Sequence, residues 1–275
     1  MGAIITLTTD FGMRDGYVAA MKGVILGINP AATLVDVCHT VKPQNVNEAA
    51  FVINTVYKVF PQRTVHLIVV DPGVGSNRRA VIVRTPLADF VAPDNGVLSY
   101  VIDEFSRAIS ARSQAELGKD IQAYSITRPE FWRQPVSPTF HGRDIFAPVA
   151  ARLSLSEPPE SFGERVTSLT VIPLSKSHKN GSGTTAGHVI HLDGFGNLIT
   201  NIKDSDLPQK RDNLSIQVGG KLIHGVNRTY SERSGLLALV GSRGYMEISL
   251  QNGSAGDFLG VGVGDQVKVI MQEQK

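Results

Sequence analysis

The sequence predicts an α/β domain built on a largely parallel sheet, followed by a smaller all-β, barrel-like domain. Three observations carry that reading. Up to about residue 155, apolar β-branched runs alternate with amphipathic helical stretches. Between Glu157 and Gly183 the texture changes, and Pro158-Pro159, Pro173 and Lys179-Asn180-Gly181-Ser182-Gly183 read as connection and linker. Beyond residue 184 there are only short strands and tight turns. The expected domains are residues 1–175 and 176–275.

The elements follow in order. Ala3–Thr9 is an apolar, β-branched strand. Asp15 is placed as a helix N-cap, Val18, Met21, Val24, Ile25 and Ile28 recur at helical spacing, and Pro30 ends the run. Thr33–Cys38 is a second strand. Asn45–Phe60 reads as a helix with Val46, Ala49, Ala50, Ile53, Val56 and Tyr57 on one stripe. Thr64–Val70, Ala80–Thr85 and Asp89–Ala92 are strands, and Gly96–Phe105 and Arg143–Leu155 are helices. Strands separated by helices imply a sheet covered on both faces, with ligands beyond the carboxyl ends of its strands. In the second region the expected strands are Ala186–Leu192, Leu198–Ile202, Leu214–Val218, Lys221–Val226, Leu236–Val240, Tyr245–Ser249 and Gln266–Met271. Gly219-Gly220 is a hairpin signal. The glycine-rich stretch Gly253–Gly264 reads as tight β-turns, and the pattern admits a barrel or a sandwich.

Composition excludes several classes. The chain has 275 residues, of which 42% are hydrophobic and 19% charged, a globular balance. A formal net charge of +2, with no basic run, gives no nucleic-acid signature. No apolar run reaches the ~20 residues that span a bilayer, and Met1 leads into a strand without a basic n-region. The expectation is a soluble, cytoplasmic protein without a membrane partner. The single cysteine, Cys38, forms neither an internal disulfide nor a Cys-based zinc site and reads as a small core residue.

Acids stand at strand exits. Asp10 closes the first strand, Asp71 closes the third, and Asp94 follows Phe90-Val91-Ala92. In a parallel sheet all three share one edge, although aspartate there is also a common turn former or cap. Asp94, in Pro93-Asp94-Asn95-Gly96, reads as a turn. The short loop Pro72–Asn77 returns Arg78 or Arg79 toward Asp71, where a guanidinium keeps a carboxylate ionised; a sheet-edge or solvated role is the alternative. His141, before Gly142 at a helix start, is set to face a ligand. A metal bound by Asp10, Asp71, His141 and Asp144 is the competing idea, but no His-x-x-x-His pair supports it, and neither a metal nor a cofactor is expected.

Taken together, Thr9-Asp10-Phe11-Gly12, Val69-Val70-Asp71-Pro72-Gly73-Val74-Gly75-Ser76 with Arg78, Ala92-Pro93-Asp94-Asn95-Gly96, Thr139-Phe140-His141-Gly142-Arg143-Asp144, Asp193-Gly194-Phe195-Gly196-Asn197 and Gly241-Ser242-Arg243-Gly244-Tyr245 resemble the S-adenosyl-L-methionine (SAM) hydroxide adenosyltransferases, relatives of the SAM-dependent fluorinase and chlorinase. The likeness runs in order through essentially the whole chain. It implies a Rossmann-like N-terminal domain, a C-terminal β-barrel, and a homotrimer with sites between subunits. It also implies hydrolysis of SAM at the ribose C5′ to adenosine and L-methionine. Its Asp-Arg-His set falls on Asp71, Arg78 and His141, and its ribose-binding acid on Asp10. Its adenine and methionine contacts fall on Phe195, Asn197, Ser242, Glu247 and Leu250, with Asp193 and Arg243. The halogenating relatives carry uncharged residues at the first three positions and a small hydroxyl side chain where Gly142 stands. A halide transferase is therefore less compatible with Asp71, and the alternative from another class is a non-catalytic SAM or adenosine binder.

Overall fold

Strand β1 (Ile4–Thr9) sits inside the N-terminal sheet because both of its faces are covered. Ile5 and Leu7 pack against one apolar layer, while Thr6 and Thr8 turn to the other face. In this computed structural model, which describes residues 2–106, 113–180 and 183–272, the chain divides into two compact units, Met1–Leu174 and Ser175–Lys275. Gly181 and Ser182 of the expected linker lie outside the described residues.

In the first unit, β1 is followed by α1 (Tyr17–Ile28), β2 (Thr33–Cys38), α2 (Val46–Val56), β3 (Thr64–Val69), β4 (Ala80–Arg84), β5 (Ala88–Pro93) and α3 (Ser99–Ser106). Then come β6 (Gln114–Glu116), β7 (Gln122–Ser125), α4 (Ala147–Ser154), β8 (Arg165–Val166) and β9 (Ser168–Thr170). The main sheet has the order β2-β1-β3-β5-β4-β7-β8. Pairings β2/β1, β1/β3 and β3/β5 are parallel, so the carboxyl ends of β1, β3 and β5 share one edge. Strand β4 runs antiparallel between β5 and β7. One apolar layer joins α2 and α3 to the sheet through Ala49, Ile53, Tyr57, Val101 and Ile102. The other joins α1 and α4 through Met21, Ile25, Ala147 and Ala150. The α/β expectation therefore holds.

Several local expectations need correction. Asp15 does not cap α1; Gly16 is the N-cap, and no side chain bonds to the helix start. Asn45 does cap α2, accepting from Glu48 N at 3.1 Å, but the helix gives way to a 3₁₀ turn at Tyr57–Val59. The helix expected from Arg143 begins as a π-helical turn, Gly142–Phe146, before α4. Strands β6 to β9 carry no apolar alternation long enough to signal them. Cys38 is half-buried at the margin of the core rather than within it.

In the second unit, β10 (His178–Lys179), β11 (Thr185–Leu192), β12 (Leu198–Lys203), β13 (Leu214–Val218), β14 (Lys221–His224), β15 (Leu236–Val240), β16 (Tyr245–Leu250), α5 (Ala255–Leu259) and β17 (Gln266–Met271) follow. The order β14-β13-β17-β11-β12-β16-β15 nearly closes on itself, since Asn227, just beyond β14, bridges to Leu239 of β15. A barrel rather than a sandwich results, with Val189, Ile202, Ile216, Met246, Ile248 and Val267 in its core. Gly219 and Gly220 adopt left-handed φ of 52° and 70°, which the two-residue β13–β14 hairpin requires. The stretch read as β-turns contains helix α5, capped by Ser254, whose hydroxyl accepts from Asp257 N, and ended by left-handed Gly260. Among the described residues no helix is long and apolar enough to cross a membrane.

His66 on β3 is fully buried, stacked on Phe90 and hydrogen-bonded to Thr6 Oγ1 at 2.7 Å, while its Nε2 has no partner among the described residues. Burial pushes this imidazole down to about 4. An unfolded histidine titrates near ~6.5, so between the two values the unfolded chain binds the extra proton. This contribution to stability is complete above about pH 6.5 and is lost as pH falls toward 4, at no more than about 1.4 kcal/mol per pH unit. His66→Phe keeps the stack and removes the titration. In urea unfolding, the stability difference between wild type and variant is expected to shift in favour of the variant between about pH 7.5 and about pH 5; an unchanged difference counts against this origin.

Candidate active site

Asp71 leaves β3 at the edge shared by the carboxyl ends of β1 and β5. Its neighbour Val70 is held there by Asn95, whose side-chain amide donates to Val70 O at 2.9 Å. The chain then turns tightly, with Val74 N bonded to Asp71 O and Ser76 N to Gly73 O. Gly75 has φ 76°, and a Cβ there would stand 2.6 Å from Pro138 O. That glycine lets the loop lie against the segment leading to His141.

Arg78 returns from this turn onto Asp71. Its Nε donates to Oδ1 and Oδ2 at 2.9 and 3.0 Å, and its Nη2 also donates to Oδ2. The pair is largely shielded, with side-chain exposures of 11% for Arg78 and 5% for Asp71. The guanidinium lies over the Phe146 ring, 5.1 Å from its centroid. Arg79 turns the other way, as successive residues entering a strand must. Its Nε donates to Asp94 at 2.8 Å, and Asp94 also accepts from Thr170 N, so Asp94 organises the sheet edge.

Arg78 Nη2 lies 3.0 Å from His141 Nδ1. Arginine only donates, so Nδ1 is the acceptor and Nε2 carries the ring proton of the neutral imidazole. Burial, then the Arg78 charge, holds the His141 pKa below its ordinary value, against the opposing pull of Asp71 and Asp144. The residue stands where the π turn begins, a geometry that re-aims side chains at functional sites.

Asp144, one turn on, is fully buried and accepts from Arg143 Nε and Nη2, Ser137 N and Arg133 Nη1. Burial alone would raise its pKa, but these donors lower it. Its lone pairs serve the 133–144 loop, and among the described residues no cluster of three His, Cys, Asp or Glu side chains is placed to hold a metal.

A cleft of about 370 Å³ is lined by Asp10, Gln44, Asp71, Phe140, His141 and Gly142, among others. Asp10 Oδ2 accepts from Gln44 N at 2.8 Å. Phe11, Tyr17 and Phe140 form an aromatic cluster at this cleft, with centroids 5.3–5.9 Å apart. Sequence reasoning placed Phe140 in a motif and missed Tyr17, a lone exposed aromatic at the first position of α1.

The second unit carries its own cleft of about 730 Å³, lined by Asp193, Phe195, Asn197, Ser242, Arg243, Glu247 and Leu250. All seven residues expected there are brought together. Phe195 is 82% exposed, so it is not a core residue. Asp193 organises the turn: Oδ1 accepts from Phe195 N and Asn197 N, and Oδ2 accepts from Asn197 Nδ2, each at 2.9 Å. Tyr230, also in the lining, was not anticipated from sequence. Its hydroxyl donates to Glu247 Oε2 at 2.9 Å, and burial with that carboxylate pushes its pKa up to about 12. Burial likewise raises Glu247. The only signal for Tyr230 was a single aromatic in the polar stretch Asn227–Ser234.

Comparison with known proteins identifies the fold's relatives. The family model described as the SAM hydroxide adenosyltransferase N-terminal domain matches residues 5–163, and that of the C-terminal domain matches residues 187–268. The chain belongs to the SAM hydroxide adenosyltransferase family. A family relative named (R)-S-adenosyl-L-methionine hydrolase, from Methanocaldococcus jannaschii, is 33% identical, covering 97% of this chain and 95% of the relative. A fluorinase from Nocardia brasiliensis is 28% identical, covering 97% of both chains. The crystal structure of an uncharacterized conserved protein from Thermotoga maritima superposes with a TM-score of 0.86 at 35% identity, covering 97% of this chain and 99% of that one.

The Arg78–His141 contact makes a spectroscopic prediction. In a ¹⁵N-edited imidazole spectrum near neutral pH, His141 is expected as the neutral Nε2–H tautomer with a pKa below the usual ~6.5. In Arg78→Met, loss of the guanidinium charge moves that pKa upward. A wild-type His141 carrying its proton on Nδ1 contradicts the geometry.

Proposed function

We propose that this protein hydrolyses SAM at the ribose C5′, giving adenosine and L-methionine, with Asp71, Arg78 and His141 handling the attacking water. The observation that carries the proposal is the hydrogen-bonded cluster of these three side chains, of which Asp71 and His141 line the cleft that also holds Asp10, with Arg78 joining them. The relatives named as hydrolases support the same reaction. No cofactor takes part in this reading.

The chemistry assigns the roles. SAM is a sulfonium, so methionine leaves as a neutral thioether and needs no general acid. One water attacks C5′, the C5′–S bond breaks with its electrons going to sulfur, and one proton is released. Placing that water in line contributes most, since well-oriented groups are worth roughly 7–11 kcal/mol. His141 Nε2–H donates to the water oxygen and fixes its lone pair toward C5′. Asp71, held in place by Arg78, accepts a hydrogen bond from the water. As the C–O bond forms, the attacking oxygen becomes strongly acidic, so a carboxylate suffices to take the proton. The Arg78 charge stabilises hydroxide character in a shielded site. His141 does not act as the base in this account, because Arg78 occupies its only lone pair.

Asp10 accepts from the ribose diol, as acids do in nucleotide folds. In the second unit, Phe195 offers a stacking face and Asn197 keeps its carbonyl oxygen and one amide hydrogen for the adenine edge. Ser242 and Arg243 hold the methionine carboxylate, and Glu247 and the backbone at Leu250 complete the cleft wall. The chain is read as two domains, 1–175 and 176–275, assembling as a homotrimer in which each site combines the N-terminal domain of one subunit with the C-terminal domain of its neighbour.

Incubation with each sulfonium diastereomer of SAM in ¹⁸O-water tests the reaction. Adenosine labelled at the 5′ oxygen is expected; unchanged SAM despite measurable binding would reduce the protein to a binder. Arg78→Ala is expected to lower kcat at least about 10²-fold, the cost of losing one preorganised charge donor, with a smaller effect on SAM affinity.

Shared sites make a separate prediction. Mixing Arg78→Ala subunits with Asn197→Ala subunits, each nearly inactive alone, should regenerate activity after subunit exchange, because some sites receive two intact halves. No regain in demonstrably mixed oligomers, or a monomer by light scattering, refutes the shared site.

A further inference from the structure

We propose that His39 is a positioning residue that sets the Thr9–Gly12 turn and thereby aims Asp10 at the ribose. The inference rests on the proposed hydrolase reading. His39 follows β2, the parallel neighbour of β1, and is only 5% exposed although it stands next to an exposed turn. It grips the turn at both ends. Its ring Nδ1 lies 2.9 Å from Thr9 Oγ1, just before Asp10, and its backbone oxygen accepts from Gly12 N at 2.7 Å, just after it.

The donor directions form one consistent chain. Asp36 Oδ1 lies 2.9 Å from His39 Nε2, so Nε2 carries a proton toward that carboxylate. Nδ1 then accepts the Thr9 hydroxyl proton, and Thr9 Oγ1 in turn accepts from Phe11 N at 3.3 Å. Asp36 is itself steadied by Lys22 from α1, at 2.6 Å. The β1–β3 ladder runs unbroken to Thr9, but on the β2 side the register shifts between Leu7 and Thr8, so on that side the His39 contacts, rather than regular pairing, hold the turn that follows. Gly12, at φ 68°, takes a left-handed turn that the backbone bond to His39 closes. Asp10 Oδ2 is spent on Gln44 N, and among the described residues Oδ1 has no partner. A small rotation of the turn therefore moves the one oxygen free for a diol. None of these bonds reaches Asp71, Arg78 or His141, and the turn meets that cluster only through the packing of Phe11 on Phe140, so a fault here is expected to fall chiefly on binding.

The test compares His39→Ala with wild type in steady-state SAM hydrolysis. KM is expected to rise at least about tenfold, the order of one lost charge-assisted hydrogen bond, with kcat nearly unchanged. Adding Asp10→Asn to His39→Ala should cost less than Asp10→Asn costs alone, because the carboxylate is already misplaced. His39→Asn, whose amide stands near the Nδ1 position, should restore much of the KM. Where His39→Ala fails to fold, Thr9→Val removes the hydroxyl link alone and should show the same split. A substrate-independent readout separates the two claims: hydrogen exchange at the Gln44 amide should speed up in unliganded His39→Ala. Altered exchange in a protein that never hydrolyses SAM would remove the hydrolase reading and keep the positioning role. Unchanged exchange and KM, or equal losses in kcat and KM with fully additive Asp10 effects, overturns the proposal.

Discussion

The bidentate contact between Asp71 and Arg78 constrains much of the N-terminal unit. A carboxylate shielded to this degree is costly without a partner, and breaking such a pair is worse than never forming it. The partner must arrive within seven residues, which explains the loop chemistry. Gly73 lies against the Arg78 stem, Gly75 against the Pro138 backbone, and Ser76 closes the turn through its hydroxyl. The guanidinium then serves several neighbours from one plane, with Nε and Nη2 on the carboxylate, Nη2 also on His141, and one face on Phe146. A lysine would lack the fork and the flat face. The site's geometry thus follows from a strand exit, a glycine turn and a planar cation.

The two units solve different problems. Parallel pairing of β1, β3 and β5 delivers Asp10 and Asp71 to one edge, where rigid strands fix their separation. The barrel instead presents its groups on turns and along β16, where Asp193 braces the Phe195–Asn197 turn and Tyr230 braces Glu247. Gly241 serves the second arrangement, since any Cβ there would overlap the Glu247 carboxylate. The N-terminal cluster therefore gathers at the sheet edge, with Asp71 just past β3, Arg78 just before β4 and His141 at the start of the π turn. The barrel cleft instead joins turn residues such as Phe195 to Glu247 of β16.

What was legible in the sequence follows the strength of each physical signal. Continuous apolar runs such as Leu67–Val70 marked strands buried on both faces, and the acids at their ends could be placed on one edge before any coordinates. The choice between Arg78 and Arg79 came from the family resemblance; composition left it open, and the structure resolves it by strand alternation. Asp15 failed as a cap because the chain is turned by Gly12 and enters α1 through Gly16, leaving no acceptor near the first amides. Strands β6 to β9 span only two to four residues each, too short for a period to declare itself. Helix α5 hid among glycines although Ser254 and Gly260 are ordinary start and stop signals. His39 and Tyr230 were invisible because their importance is tertiary: each matters through a bond to a residue at least seventeen positions away.

The charge balance of the cluster bears on why water, rather than an anion, suits the proposed reaction. Asp71 and Arg78 cancel, and His141 with a lowered pKa adds no charge near neutrality. An incoming halide would surrender its hydration to a site whose cation is already engaged and whose nearest anion is Asp71. Its desolvation would go largely uncompensated. Water is different, since it both donates and accepts, and the cluster offers one of each: the Asp71 lone pairs and the His141 Nε2–H. The same pairing orients the molecule, because a water donating to a fixed carboxylate and accepting from a fixed imidazole has one remaining lone pair to direct. In the proposed reaction, selectivity for water over anions and alignment of that water both follow from one arrangement of three side chains.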